Sequence, residues 1–171
     1  LKDVNSGVTG TTSTFNGTVN SQNVTNTGTG ATTFQDNVTA TNVNVNAGTS
    51  TFQDNLTATT TTITTGTGNF NTVSGTTTSN LQFTDNGTAN LNNGLTGNVT
   101  TTADNKGTLN LVGSNNQTVT GTVGGVGASL EKVSSGATGA TSTFVNNVYA
   151  NTVENTGTGA TTFQDNVTAT N

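Results

Sequence analysis

The stretch TTFQDNVTATN, at residues 32–42, decides the fold because the chain repeats it. The same letters return at residues 161–171, and a near copy, STFQDNLTATT, occupies residues 50–60. A catalytic motif is rarely needed three times in one chain, whereas the building block of a repeat protein recurs at a fixed period. The repetition therefore points first to an architecture.

Phenylalanine marks a short period of 18 to 19 residues in two parts of the chain. An aliphatic residue follows most of these phenylalanines four positions later. Residues that recur at this spacing would lie above one another in stacked coils and bury a core that no single coil could bury. We expect the core ladder to consist of Phe15, Phe34, Phe52, Phe70, Phe144, Phe163, Val19, Val38, Leu56, Val148 and Val167.

One copy of the period reads as three short strands separated by corners. In residues 32–49, the segments TTF, VTA and VNV alternate inward and outward positions, as half-buried strands do. QDN and NAGT contain the Asn, Asp and Gly that favour turns. The sequence therefore predicts an all-β fold, a parallel β-helix or β-solenoid with turns of about 18 to 19 residues. The corner residues of the three copies are Asp36, Asn37, Asp54, Asn55, Asp165 and Asn166.

A second period of 129 residues divides the chain into units. Residues 1–15, LKDVNSGVTGTTSTF, match residues 130–144, LEKVSSGATGATSTF, and residues 26–42 are identical to residues 155–171. We therefore expect residues 1–129 to form one long solenoid unit and residues 130–171 to begin a second, within a single continuous solenoid. With stacked strands about 4.8 Å apart, a unit is expected to contain about seven turns and the whole chain about nine.

Residues 71–130 interrupt the phenylalanine rhythm but keep the alternation of strands. LNNGLTGNV, GTLNLVG and QTVTGTVGGVG still place apolar residues at regular intervals. We expect the same solenoid here with different coil sequences, and longer loops near TTADNKG at residues 101–107. The Gly-rich GTVGGVGAS at residues 121–129 lacks the Lys-Ser/Thr ending of a phosphate-binding loop, so it is expected to form turns.

The composition excludes several kinds of site. Thr, Asn and Gly make up more than half of the 171 residues, and there is no Pro, Cys, Met, Trp or His. A disulfide framework and a Cys or His metal site are therefore excluded. The only cations are Lys2, Lys106 and Lys132 against a net charge of −5, so a nucleic-acid partner is not expected. The sequence contains no run of about 20 apolar residues, so it predicts no transmembrane helix.

Residues 101–133, TTADNKGTLNLVGSNNQTVTGTVGGVGASLEKV, resemble the passenger domains of bacterial autotransporters, most closely the large rickettsial surface-antigen type. Those passengers repeat Gly-Thr-Leu-x-Leu followed by Thr-Val-x-Gly-x-(Val/Ile)-Gly, and TFQDNVTATNVNV at residues 33–45 is similar to their Phe-x-x-Asn-Val rungs. The resemblance implies an extracellular right-handed parallel β-helix displayed on a bacterial surface for adhesion or as a coat. The regular 129-residue unit suits a long repetitive fibre as well as a passenger.

The acidic corners admit two interpretations. Stacked Asp36, Asp54 and Asp165, with Asp85 in the same Phe-x-Asp-Asn pattern, could chelate calcium or form Asx-type turns. Calcium-binding solenoids use Gly-rich nonapeptides with several Asp, which this chain lacks, so turn formation is favoured. No acid and base pair stands out among the carboxylates, so we expect no enzyme activity, no cofactor and no metal.

These observations predict an extracellular structural protein that forms a rigid fibre or coat on a bacterial cell, with further copies of the same unit as its partners. The alternative is an adhesin passenger whose exposed loops bind cell-surface ligands. A minor alternative is an ice-binding solenoid, because TAT recurs at residues 39–41, 57–59 and 168–170. One row of threonines would then align on a flat face.

Overall fold

The fold is built from β-strands joined by turns and loops. A computed structural model describes residues 1–71 and 73–171, and in these ranges it contains 19 strands and no helix. The strands are β1 (Asp3–Ser6), β2 (Thr12–Phe15), β3 (Val19–Asn26), β4 (Ala31–Phe34), β5 (Val38–Val45), β6 (Thr49–Phe52), β7 (Leu56–Ile63), β8 (Thr67–Phe70), β9 (Thr77–Phe83), β10 (Thr88–Leu91), β11 (Leu95–Thr96), β12 (Val99–Thr101), β13 (Thr108–Leu111), β14 (Gln117–Val119), β15 (Leu130–Ser135), β16 (Thr141–Phe144), β17 (Val148–Asn155), β18 (Ala160–Phe163) and β19 (Val167–Ala169).

Successive turns of the chain stack in parallel register. Each strand pairs with strands one turn earlier or later, and paired residues lie 18 to 25 positions apart in the sequence. One sheet follows the order β1-β3-β5-β7-β9, and the other follows β2-β4-β6-β8-β10-β13 before both continue into the second unit. The fold is therefore a β-solenoid of about nine turns, as the alternation of short strands and polar corners predicts.

Each turn has three faces, because the long strands bend in the middle. In β5 the side chains at 38, 40, 43 and 45 are buried. Between them, the side chains of two consecutive residues, 41 and 42, are not buried. This change of phase separates face 1, which starts with residues 19–21, from face 2, which has residues 3–6 and then 23–26. The Phe-containing strands, starting with β2, form face 3.

A stack of phenylalanine rings fills face 3 of the first unit. Neighbouring rings between Phe15 and Phe70 have centroids 5.0 to 5.4 Å apart and nearly parallel planes, a separation typical of favourable aromatic pairs. Leu91 and Leu111 continue the column above Phe70. The loss of phenylalanine from this column after residue 70 is therefore a change of side chain within it, and the solenoid continues through residues 73–130.

The second unit is displaced by one face relative to the first. Val4 lies on face 2, and its column advances six full turns through Val24, Val43, Thr61, Leu81, Val99 and Val123. The equivalent of Val4 in the second unit is Val133, which pairs with Leu109 on the next face, face 3. The 129-residue unit therefore contains six and one third turns, whereas its length alone suggested about seven.

The displacement divides the phenylalanines of the predicted ladder between two faces. Phe144 and Phe163 stack on each other with ring centroids 5.2 Å apart. They lie on face 1, where Phe144 pairs with Val119, and not in the column of Phe70. The single ladder predicted from the sequence is therefore two ladders, one on face 3 of the first unit and one on face 1 of the second.

The aliphatic ladder residues are divided in the same way. Val19, Val38 and Leu56 pair in sequence on face 1 and are buried. Val148 and Val167 pair with each other on face 2. Val148 is fully buried, but Val167, on the last turn of the chain, is 40% exposed.

Candidate functional site: the loop pair and its charged patch

In the first unit, the Asp-Asn corners at residues 36–37 and 54–55 lie between faces 3 and 1 and are closed by local hydrogen bonds. The corner at residues 165–166 lies between faces 1 and 2 because the second unit is displaced. The Asp36 carboxylate accepts a bond from the Asn37 N–H (2.7 Å) and one from Thr18 Oγ1 on the preceding turn (3.1 Å). Asn55 Nδ2 donates to Asn37 Oδ1 across one turn (2.7 Å). These bonds link neighbouring corners in a ladder parallel to the backbone ladder.

The other acidic corners use similar partners. Asp54 accepts a hydrogen bond from Ser74 Oγ (3.3 Å), and Asp165 accepts one from the Asn166 N–H (2.8 Å). Asp36 and Asp165 thus each accept a bond from the N–H of the following residue, and Asp54 accepts one from a hydroxyl on the next turn. Among the described residues there is no group of three or more Asp, Glu, His or Cys that could hold a metal ion.

Two of the three TAT segments share a face. Thr39 pairs with Thr57 on face 1, so their outward threonines form adjacent rows. Thr168 pairs instead with Tyr149, which lies on face 2 because the second unit is displaced. The row of outward threonines on face 1 continues through Thr78 and Thr96, whereas the third TAT segment lies on a different face.

Two loops interrupt the regular surface near the corner between faces 2 and 3, and we call them the loop pair. They are residues 102–107 and residues 124–129. Val123 pairs with Val148, and Leu130 pairs with Ala150. The six residues of the second loop therefore separate these paired positions on one turn, whereas a single residue separates them on the next turn. The second loop closes on itself as a short antiparallel turn.

The two loops hold each other in place. The Asn105 N–H donates to the carbonyl oxygen of Ser129 (2.9 Å), and the Ser129 N–H donates to the Asp104 carboxylate (2.9 Å). Val126, at the tip of the second loop, is 89% exposed. The loop pair therefore presents a fixed polar base and an apolar tip to solvent.

Glycine is required where the loops leave and rejoin the rod. Gly107 and Gly124 have φ angles of +81° and +68°, a region that costs other residues conformational energy. A Cβ on Gly107 would lie 2.2 Å from the Phe83 ring, and one on Gly124 would lie 2.2 Å from the Tyr149 carbonyl oxygen. Both positions therefore combine a special backbone conformation with close contact to a neighbouring turn.

Charged residues gather around the loop pair. Six of the eleven charged residues in the chain lie there on four successive turns, and we call them the charged patch: Asp85, Asp104, Lys106, Glu131, Lys132 and Glu154. Lys106 Nζ lies 2.8 Å from the Asp85 carboxylate, and Lys132 forms an ion pair with Glu154. The remaining surface is dominated by neutral Thr and Asn, so the patch is the main electrostatic feature of the rod.

The ion pairs lower the pKa of two carboxyls in the patch. The hydrogen bond from Lys106 is the main reason why the pKa of Asp85 lies below its ordinary 3.8, and the Asn86 N–H adds to the effect. A hydrogen bond from Lys132, followed by one from Ser134 Oγ, holds the pKa of Glu154 below its ordinary 4.5. Both pairs are open to solvent, so we expect them to contribute little to stability.

The charged patch was not predicted from the sequence, where the carboxylates look scattered. Lys106 follows Asp85 by 21 positions, Lys132 follows Lys106 by 26, and Glu154 follows Lys132 by 22. These separations are close to one turn of the solenoid, which is the signal that brings the residues together. The signal is hidden because the turns here are longer than the 18 to 19 residues marked by phenylalanine.

No protein-family model, no curated protein and no solved structure matches the chain. The resemblance to autotransporter passengers therefore stays a prediction. In residues 1–71 and 73–171 there is no helix of the length and apolarity needed to cross a membrane.

Proposed function

We propose that the protein is an extracellular structural repeat protein that forms a rigid fibre or coat on a bacterial cell. The observation that carries this proposal is the continuous stacking of the second unit on the first, in which β13 pairs with β15 and β14 pairs with β16. The same parallel hydrogen bonds join turns within a unit and between units. A further unit therefore extends the rod through contacts that the fold already uses.

The interior supports a stiff rod. The columns of buried side chains, including Phe34 and Phe52, run along the axis with almost no exposure to solvent. Backbone hydrogen bonds also run along the axis between turns about 4.8 Å apart, so about nine turns give a rod of about 43 Å. Bending the rod would stretch one side of both sets of contacts.

Electron microscopy of cells that make the protein tests this function. Antibodies against the 171-residue chain should label long thin rods at the cell surface, and averaged rods should show a layer line near 4.8 Å. Labelling confined to the cytoplasm would contradict a surface fibre. Antibody-labelled material without ordered layers would contradict a rod.

An adhesin passenger is the second candidate, and the loop pair favours it. The exposed Val126 and the charged patch are the features that a surface ligand would meet on a rod whose surface consists mostly of uncharged Thr and Asn. Replacing Val126 by Ser together with Lys106 and Lys132 by Ala should abolish binding to host or neighbouring cells if the loops are adhesive. The matched control changes Thr39 and Thr57 to Ala on face 1, and binding should then be unchanged.

A further inference from the structure

We propose that, in a tandem array of these units, each unit is rotated by one face about the rod axis relative to the one before it. The loop pair then points to three sides of the rod in turn and returns to its first side at the fourth unit. This inference rests on the proposed fibre only in assuming that more than two units follow one another. Its geometric basis is the junction between the two units of this chain.

The junction places each type of strand on a new face. β15, the equivalent of β1 on face 2, pairs with β13 on face 3. β16, the equivalent of β2 on face 3, pairs with β14 on face 1. Residues 148–150, equivalent to residues 19–21 on face 1, join the face 2 column through the pairing of Val123 with Val148. All three faces therefore move by one step in the same direction.

The three faces accept one another's strands because their inward positions are similar. The face 1 column changes from Leu95 and Val119 to Phe144, all of them fully buried. The face 3 column changes from Leu109 to Val133, again with both side chains buried. Apolar residues of different size are thus stacked at these positions. Beside them the buried polar pair Gln117 and Ser142 resembles the buried pair Thr32 and Ser50 inside the first unit, so the junction has the same character as the interior of a unit.

The displacement sets the symmetry of the array. Six and one third turns at about 4.8 Å each place equivalent loop pairs about 30 Å apart along the axis. Three units contain 19 whole turns, so the complete repeat is about 91 Å. A partner that binds the loop pair would therefore meet one site on each side of the rod every 91 Å or so, and sites on all three sides within that length.

Engineered cysteine pairs in the full 171-residue chain test the junction, and the native chain contains no cysteine. Thr118 pairs with Thr143 in the structure, so Thr118→Cys with Thr143→Cys should cross-link, either as a disulfide or through a short bis-maleimide. If units were instead related by whole turns, Thr143 would lie beside Asn110, and Asn110→Cys with Thr143→Cys would cross-link. Thr33→Cys with Thr51→Cys, a pair within the first unit, is the positive control.

Cross-linking of the 118/143 pair at the level of the 33/51 control, with background levels for 110/143, is the expected result. Cross-linking of 110/143 instead, or of neither pair while the control reacts, would overturn the proposal. Thr108→Cys with Lys132→Cys, a second pair at the junction, should also react and guards against a local defect in one variant.

The array itself is tested by lengthening the chain with a second copy of residues 43–171, which creates a second junction. Cysteines at the positions equivalent to 118 and 143 of that junction should cross-link as at the first, and failure there alone would limit the rotation to one junction and overturn the array. These measurements use purified protein. They therefore test the rotation of the units independently of whether a fibre is found on cells.

Discussion

Residues 26–42 and residues 155–171 have the same sequence but different surroundings. In the first segment Phe34 and Val38 are each 1% exposed, whereas in the second Phe163 is only partly buried and Val167 is 40% exposed. The first segment has turns stacked on both sides, and the second has one only on the side of Phe144. The comparison shows that a coil of this protein obtains its core from its neighbours and not from its own residues, as in other repeat proteins.

The same pair of segments also lies on different faces. Phe34 belongs to the face 3 ladder and Phe163 to the face 1 ladder. An identical sequence is therefore compatible with two positions in the cross-section. What fixes the face is the number of residues in the preceding turns, and this number is set by the corners and by the loop pair.

Truncating the two matched phenylalanines should give the largest difference between the segments. Phe34→Ala removes a ring that stacks on both sides and should cost about 3 to 5 kcal/mol of unfolding free energy. Phe163→Ala removes a ring that stacks on one side, so its cost should be no more than about half of that. Guanidinium unfolding followed by circular dichroism measures both. Equal losses would mean that neighbouring turns do not determine the stability of a coil.

Adding a hydroxyl at the matched valines should give a smaller difference. Val38→Thr places a polar group in a closed column and should destabilise the protein by about 1 to 3 kcal/mol. Val167→Thr leaves the hydroxyl in contact with water, so the melting temperature should hardly change. Thermal unfolding of the two variants makes the comparison, with Thr39→Val on the outer surface as the control. A large effect of Val167→Thr would show that this position is covered in solution.

The asparagine ladder should show a still smaller difference. Asn55 donates to Asn37 on one side and accepts from the Thr76 N–H on the other (2.9 Å). Asn55→Ala should therefore cost about 1 kcal/mol and speed the hydrogen exchange of the Thr76 amide. Asn166→Ala, at the Asp-Asn corner of the last turn of the chain, should leave stability nearly unchanged. Unaltered exchange at Thr76 in the Asn55→Ala variant would show that the Asn55 side chain does not protect the Thr76 amide.

The ion pair of the second unit should give the smallest effect. Lys132 and Glu154 stand where the first unit has Asp3 and Thr25. Because the pKa of Glu154 is lowered in the folded protein, its contribution to stability is present above pH 4.5 and is lost as the pH falls through the lowered folded value. In Lys132→Met, NMR titration should find the Glu154 pKa closer to its ordinary value. An unchanged pKa would show that the pair does not persist in solution.

The sequence predicts most of the fold because the period and the alternation are visible in it. The spacing of Phe34 and Phe52 gives both the length of a turn and the stacking of their rings. The displacement of the second unit could not be predicted, because residues 71–130 contain only Phe83 to mark the turns. A difference of one residue per turn over six turns is enough to change the face, and the loop at residues 124–129 alone adds five residues to its turn.

The candidate site depends on the same count of residues. Turns and loops were predicted at residues 101–107 and 121–129, and the structure places the loop pair there. The gathering of Asp85, Lys106 and Lys132 required knowing the length of each intervening turn. Charges that lie 21 to 26 residues apart meet only when the corner loops between them have the lengths seen in the structure.

The backbone hydrogen bonds of this solenoid run along its axis, and this direction determines how the rod would respond to a pull. Tension applied at the two ends loads the bonds of one terminal turn at a time, so turns would be released in series. A released turn of about 20 residues spans up to about 66 to 72 Å, whereas it occupies about 4.8 Å in the rod. A fibre of such units would be stiff against bending and would still lengthen more than tenfold, about 60 Å per turn, before its covalent chain became taut.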